Sequence, residues 1–306
     1  NINTTLNVES GFFQLLLYAN DSANNFGLNN TIYFTSNTLP TQNNPIFSPS
    51  LAYDTLNLTC LNQSTTDANG DTVTNIYNWQ KNSTSRTLLN MPFDTDVSNT
   101  IAGAIKDYSS YENNATLGNG TAGTAPEWTS GGKIGGAYSF DEVNDVIRVP
   151  NSASLNNSYD FSVTFWMNSK NNTGVHYIIM NSNDNSVDNG ELFVYQNGIN
   201  FSSYVDSGEN YVNGNAVMGD ENTWGFMALV MYSGKNYSLF VDGVYQSSDT
   251  ELVAGPYLDT NQNFSIGRMT SGTNPFGGTI DELKIYNYSL SSQQVNQIYI
   301  EGLNNY

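Results

Sequence analysis

The segment Gly278-Thr279-Ile280-Asp281-Glu282-Leu283-Lys284-Ile285-Tyr286-Asn287, followed by Leu290-Ser291-Ser292-Gln293-Gln294, decides how this chain is read. Residues 279–286 are one of the alternating or short apolar runs bounded by turn residues, the pattern of a strand. Ser291-Ser292-Gln293-Gln294 is a capping box, in which a hydroxyl and a glutamine side chain satisfy two free amides at a helix start. Val295, Ile298 and Tyr299 fall on one helical stripe, and Gly302 is placed to stop it. Working outward, this is the one convincing helix. Alternating or short apolar runs recur at 12–18, 31–35, 145–149, 161–167, 191–195, 225–231, 237–241 and 263–267, separated by Gly, Asn, Asp and Ser clusters. Asn197-Gly198 and Asp242-Gly243 sit between alternating residues and read as tight hairpins, because both turn residues must tolerate positive φ. Strands at this density predict an all-β chain, a sandwich or jelly roll.

Composition narrows the partners. The 306 residues carry 28 Asp+Glu against 9 Lys+Arg, a net charge of −19, yet only 12% are charged. The acidity comes from scarce bases. A pI near 4.1 with no basic stripe argues against nucleic acid and anionic membranes as partners. A chain that is 38% hydrophobic and 13% aromatic builds a core rather than a disordered tail. The longest apolar run, near Leu15 to Ala19, is too short to span a bilayer, so no membrane insertion is expected. Residues 1–5 lack the regions of a signal peptide, and the chain is expected to be mature or a piece of something longer. One cysteine, Cys60, and one histidine, His176, leave no intrachain disulfide, no Cys/His zinc site and no support for a Ser-His or Cys-His dyad.

Asn, Ser and Thr make up roughly a third of the chain. Sequons begin at Asn3, Asn20, Asn29, Asn57, Asn62, Asn82, Asn114, Asn119, Asn156, Asn171, Asn200, Asn236, Asn263 and Asn287, a modest excess over chance that falls mainly in turn-like segments. The bland reading is a polar surface soluble without charge. The sharper one is an extracellular surface bearing N-linked glycans.

From Leu88 onward a longer constellation accompanies the opening segment. Leu88-Leu89-Asn90-Met91-Pro92-Phe93-Asp94 begins it, then Gly131-Gly132-Lys133-Ile134-Gly135-Gly136-Ala137-Tyr138-Ser139-Phe140-Asp141 and Asn144-Asp145-Val146-Ile147-Arg148-Val149-Pro150. Phe161-Ser162-Val163-Thr164-Phe165-Trp166, Thr223-Trp224 and Leu239-Phe240-Val241-Asp242-Gly243 follow. In order and spacing this resembles the laminin-G-like (concanavalin A-like) jelly roll, which implies a domain over 88–306 with one short C-terminal helix. Residues 45–82 resemble half of an immunoglobulin-like sandwich, with Cys60 inside a strand as a small buried hydrophobe and Tyr77-Asn78-Trp79 on the next strand. Residues 11–36 resemble the closing hairpin of such a domain, but they precede the strands they should follow. Either the domain, 1–87, is circularly permuted, or the hairpin at 1–37 completes a neighbouring copy. The pairing of modules resembles large prokaryotic cell-surface proteins.

The jelly-roll resemblance implies a structural Ca2+ with Asp281 as its carboxylate, beside Asp94 and the Gly136 segment; the bland alternative is that Asp281 caps a turn. Calcium suits such oxygen ligands because it is hard and tolerant of irregular geometry. Asp141, Asn144 and Asp145 form a second oxygen-rich loop, for metal or ligand, or simply a turn. Asp67-Ala68-Asn69-Gly70-Asp71 opens like an EF-hand but has Thr72 at the sixth position and Asn78 at the twelfth, and reads as a hairpin loop. Glycosidases of this fold resemble a Glu-x-Asp-x-x-Glu strand motif, and no such spacing occurs here, so no catalytic residues are expected. His176 reads as a surface or packed residue. For sugar stacking Tyr195, Phe201, Tyr204, Tyr211, Tyr232 and Trp224 are available, although Trp166 and Trp224 resemble core positions.

These observations lead to two expectations. The first is a non-enzymatic structural subunit of a cell-surface filament, sheath or array, joined to copies of itself head to tail by strand complementation, or to adjacent domains of a longer chain. The second is a carbohydrate-binding adhesin whose jelly roll holds glycans.

Overall fold

The computed structural model describes residues 11–20, 26–36, 38–50, 58–97, 100–156, 159–181, 192–206, 211–217, 219–232, 236–249, 262–269 and 272–304. The sequons at Asn3 and Asn57 lie outside them. The chain divides into two compact units, Asn1–Asn75 and Ile76–Tyr306.

The first unit contains β1 (Gly11–Asn20), β2 (Phe26–Ser36), β3 (Thr41–Ser48) and β4 (Thr59–Thr66). β1 and β2 pair antiparallel from Gly11 opposite Ser36 to Asn20 opposite Phe26, the hairpin expected there. β3 and β4 pair antiparallel with Ile46 opposite Leu61 and Phe47 opposite Cys60. β3 is exposed along its whole length. Cys60 is half-buried rather than buried, because its cross-strand neighbour Phe47 is itself exposed. Asp67 to Asp71 does turn, with Asp67 Oδ1 accepting from the Asn69 and Asp71 amides, but no strand follows and the segment is not a hairpin loop. Tyr77-Asn78-Trp79 is also not a strand: it belongs to the second unit and Trp79 is 43% exposed. The reason lies in its backbone, since Tyr77 O accepts from Asn90 Nδ2 and Trp79 O from the Arg86 amide, neither of them a sheet partner in the first unit.

The second unit begins with β5 (Gln80–Lys81), β6 (Thr84–Ser85), β7 (Thr87–Met91), β8 (Thr116–Leu117), β9 (Glu127–Thr129), β10 (Ala137–Asp141) and β11 (Ile147–Val149). It continues with β12 (Phe161–Ser169), β13 (Val175–Asn181), β14 (Leu192–Asn197), β15 (Asn200–Asp206) and β16 (Tyr211–Val217). It closes with β17 (Trp224–Tyr232), β18 (Asn236–Val241), β19 (Val244–Asp249), β20 (Phe264–Ile266), β21 (Gly277–Tyr286) and α1 (Ser292–Asn304). One sheet runs β19-β18-β17-β12-β21-β10-β9, with β7 also paired to β21; the other runs β16-β15-β14-β13-β20-β11-β8. Every pairing is antiparallel.

Period-two alternation divides the strands' side chains between two apolar clusters. Phe165, Met167, Leu229, Leu239 and Ile285 join Ile179, Val194 and Phe201 of the other sheet in the main core. Their neighbours Trp166, Phe226, Ala228, Val230 and Phe240 face the other way and meet Val295, Ile298 and Tyr299 of α1. The capping box forms as read: the Ser291 amide donates to Gln294 Oε1 at 2.8 Å and the Gln294 amide to Ser291 Oγ at 3.2 Å. Gly302 does not stop the helix, which runs on to Asn304. A Cβ there would lie 2.7 Å from the Trp166 indole, so glycine serves close packing rather than termination. Asp242 and Gly243, at φ 51° and 72°, form the expected turn between β18 and β19. The other hairpin is shifted by one: Asn197 pairs with Asn200, and Gly198-Ile199 make the turn.

Candidate functional site

Two polar constellations stand out in the second unit. The first lies where β7 ends. Phe93, at φ 60°, packs edge-on against Tyr138 with centroids 5.5 Å apart, and its carbonyl accepts from Trp128 Nε1 at 3.0 Å. That anchor turns Asp94 toward the glycine-rich loop 131–136, where Asp94 Oδ1 accepts from the Gly136 amide at 3.0 Å. The glycines are needed for close approach: a Cβ on Gly136 would lie 2.6 Å from Trp128, and one on Gly132 would lie 2.4 Å from Gly136 O. Asp281, wholly buried in β21, accepts at Oδ2 from the Ile134 amide (2.9 Å) and at Oδ1 from the Glu282 amide (2.7 Å).

The structure thus brings the three residues expected around calcium, Asp94, Gly136 and Asp281, to one glycine loop. Burial pushes the Asp94 carboxyl up to about 6; the Gly136 amide pulls it down and the Glu282 charge pushes it further up. Asp281 is held well above its ordinary range, first by burial and then by the Glu282 charge. Both shifts mark carboxylates short of positive charge. Among the described residues no three His, Cys, Asp or Glu side chains converge as a ligand set. The oxygen that fits a hard cation is Asp94 Oδ2, which is buried and has no hydrogen-bond partner, whereas both Asp281 oxygens are occupied by amides and Gly136 offers its N–H to Asp94. If calcium binds here, Asp94 rather than Asp281 supplies the open oxygen, and the ion's charge would offset the burial and the Glu282 repulsion that now raise both carboxyls.

The second constellation is one end of the sandwich, where the loops β10–β11, β12–β13, β14–β15, β16–β17 and β20–β21 meet. Asp141 Oδ1 accepts from the Val143, Asn144 and Asp145 amides, while Asp145 Oδ2 accepts from the Asp141 amide. Burial alone would raise the Asp141 carboxyl, but these amides outweigh it and hold it below its ordinary value. Burial pushes Asp145 up to about 6. The two acids are therefore spent on closing their own turn.

Glu142, at φ 66°, accepts from Asn171 Nδ2 at 2.7 Å and stands 3.9 Å from His176 Nε2. His176 is packed, with Nδ1 2.8 Å from Pro275 O and Nε2 2.7 Å from Thr173 O. Gln196, fully buried, accepts from Ser169 Oγ and turns the two protons of Nε2 toward three oxygens within reach, Asn171 O, Asn172 Oδ1 and Gly198 O. The Asn172 amide donates to Glu221 Oε1 at 2.8 Å. The loops are thereby fixed in a single network, leaving Lys170, Thr173, Asp220, Glu221 and Asn222 exposed on the rim. Sequence reading missed Gln196 and the bridging role of Asn171, since only the sequon at Asn171 gave a signal there.

The aromatic candidates separate. Phe201 is fully buried and packs on Phe165, so it is not a sugar platform. Tyr232 and Trp224 pack beneath α1. Tyr195 is half-buried beside Tyr177, centroids 5.7 Å apart on opposed strands. Tyr204 and Tyr211 lie on β15 and β16, and their side chains are outside the described residues. Of the sequons, Asn62, Asn82, Asn119, Asn236, Asn263 and Asn287 are exposed; Asn114, Asn156, Asn171 and Asn200 are half-buried; Asn20 and Asn29 lie on β1 and β2.

Two facing antiparallel sheets, with a helix on the back of one, define a concanavalin A-like jelly roll. Residues 141–296 match the laminin G family described as the Concanavalin A-like lectin/glucanases superfamily, and the chain belongs to that family. No curated protein matches the sequence. Among solved structures the chain is similar to domain 4 of AbnA, a GH43 extracellular arabinanase from Geobacillus stearothermophilus, in complex with arabinotriose. Identity is 21%, coverage 71% of this chain and 99% of that one, and the TM-score 0.56. It is also similar to the binding domain of Paraclostridial Mosquitocidal Protein 1 (18% identity, 72% and 53% coverage, TM-score 0.55). The botulinum neurotoxin serotype D binding domain is comparable (16%, 71% and 52%, TM-score 0.54). The chain spans about half the length of the two toxin domains. At these identities the likeness establishes the fold. Among the described residues no helix is long and apolar enough to cross a membrane.

Proposed function

We propose that this protein is a non-enzymatic extracellular recognition module that binds carbohydrate, with calcium supporting the loop at Asp94 and N-linked glycans on the exposed sequons. The observation that carries the reading is the loop end of the sandwich, where Gln196, Asn171, Glu142 and His176 fix loops whose rim presents amides, hydroxyls and carboxylates. Sugars are bound by such pre-set hydrogen-bonding groups, which lose little entropy on binding. The similarity to an arabinanase domain solved with arabinotriose supports the same ligand class. The non-catalytic part of the proposal is supported by Asp141 and Asp145 accepting from backbone amides of their own turn. A glycan array that includes arabino-oligosaccharides, probed with and without chelator, tests the proposal. Saturable binding that weakens on Glu221→Gln is the expected result; no binding to any glycan overturns it.

A second reading is favoured by the first unit. The ribbon of β3 and β4 presents Ile46, Phe47 and Leu61 to solvent, and two-stranded ribbons are marginal in water alone. An immunoglobulin-like sandwich completed by the 1–37 hairpin of the next copy would cover them and join subunits head to tail at the cell surface.

A further inference from the structure

β7 and β21 are early and late strands of the jelly roll, and they pair with Leu283 opposite Met91, Lys284 opposite Asn90 and Ile285 opposite Leu89. Lys284 and Asn90 are therefore direct cross-strand neighbours on one face of the sheet. The Asn90 amide donates to Asp107 Oδ1 at 2.8 Å, and its carbonyl accepts from the Tyr108 amide at 2.9 Å. Neither bond goes to Lys284, so the pair is of the narrow, non-hydrogen-bonded kind, in which Cα atoms stand about 4.5 Å apart and side chains are closest. Asn90 is 1% exposed. Its Nδ2 donates to Tyr77 O at 3.1 Å, while Oδ1 is buried without a partner. Glu282, at φ 52°, turns its carboxylate onto Lys284 Nζ, and the two side chains are only 13% and 24% exposed.

An amine paired with a carboxylate thus stands on the strand directly opposite a buried carboxamide, where water is scarce. We infer that Lys284 Nζ and Asn90 Cγ become joined by an amide bond, with Glu282 carrying the proton. Glu282 takes one proton from the Lys284 ammonium, and the freed amine attacks Asn90 Cγ. The new C–N bond forms, a second amine proton passes to the departing Asn90 nitrogen, and the Cγ–Nδ2 bond breaks. Ammonia leaves and takes the proton held by Glu282, departing as ammonium. No oxidant, reductant or co-reactant is required. Alignment on paired strands supplies the effective concentration that an amine attacking an unactivated amide needs.

Burial disfavours the Lys284 ammonium, but the Glu282 carboxylate outweighs burial and holds its pKa above the ordinary value. The attacking amine is therefore scarce, which makes the joining slow and suits an event that occurs once per chain. The product ties β7 to β21 and closes a long loop in the unfolded chain, the constraint that a disulfide supplies elsewhere and that the single Cys60 cannot.

The test is mass spectrometry of the full chain, held at neutral pH until its mass is constant, then denatured and digested with trypsin. The expected result is a branched peptide that joins the Asn90 and Lys284 peptides, lacks cleavage at Lys284, and weighs one ammonia less than their sum. Lys284→Arg keeps a cation beside Glu282 and should abolish the branch, and Asn90→Ala should do the same. Separate Asn90 and Lys284 peptides at their own masses, with cleavage at Lys284, overturn the inference in the wild-type chain alone. Ammonia loss mapped instead to an Asn-Gly pair, where a cyclic imide has the same mass change, overturns it equally.

Discussion

Asp94 shows how much turns on a single oxygen. Its Oδ1 is paired with Gly136 and its Oδ2 with nothing, and its pKa stands near 6 rather than at the ordinary 3.8. A carboxyl raised on folding binds more protons in the native state, so its contribution is present in full below the unfolded value and is lost as pH rises through about 6. Asp145, raised to about 6, acts in the same direction. Thermal scans without metal should therefore give a higher Tm at pH 5 than at pH 7. Asp94→Asn should flatten part of that slope, and calcium should raise the wild-type Tm at pH 7 but not that of the variant. A calcium response unchanged by Asp94→Asn would remove this residue from any metal site. Asp94, Gly136 and Asp281 were singled out only by the family resemblance. Which carboxylate oxygen remained open was not legible, because that depends on amides from Ile134 and Glu282, the former 147 residues away in sequence from Asp281.

At the scale of elements, strands and caps followed local chemistry closely. The capping box at Ser291 and Gln294 and the Asp242-Gly243 turn involve groups only a few residues apart, so sequence specifies them directly. Gly302 was misread because its constraint is tertiary: the helix reaches Asn304, and Trp166 occupies the space of a side chain. Gly302→Ala sets two effects against each other. Alanine gains about 1 kcal/mol in helix propensity, while overpacking against a rigid indole costs about 1–3 kcal/mol. A contact of 2.7 Å to Trp166 puts this site at the costly end, and a lower Tm with a shifted Trp fluorescence is expected. An unchanged or raised Tm would show that α1 moves aside freely. Tyr77-Asn78-Trp79 was misread for a related reason. A tryptophan two residues after a tyrosine looks like a sandwich strand, yet their carbonyls are claimed by Asn90 and Arg86.

Across the whole molecule, the jelly roll and the ribbons of the first unit raise different questions. The sandwich buries most of its described phenylalanines, with Tyr138, Tyr237 and Trp166, between two sheets and beneath α1. The described strands β3 and β4 instead leave Ile46, Phe47 and Leu61 exposed, which makes assembly the property to measure. If the 1–37 hairpin completes a neighbouring copy, full-length protein should form filaments visible by electron microscopy, and removal of residues 1–37 should leave monomers. Filaments that persist after truncation, or full-length protein that stays monomeric, would end the strand-exchange reading. The sequence by itself determined the all-β class, the helix start and the acidic, amide-rich composition, because periodicity, turn chemistry and composition are local properties; the jelly roll was legible only through the order of family motifs. Tertiary structure alone decided that Gly302 is a packing residue, that Phe201 is core, that Gln196 ties the loops together, and that Lys284 faces Asn90. Each of those facts depends on strands brought together from distant parts of the chain, and such partners leave no mark in the residues' immediate neighbourhood.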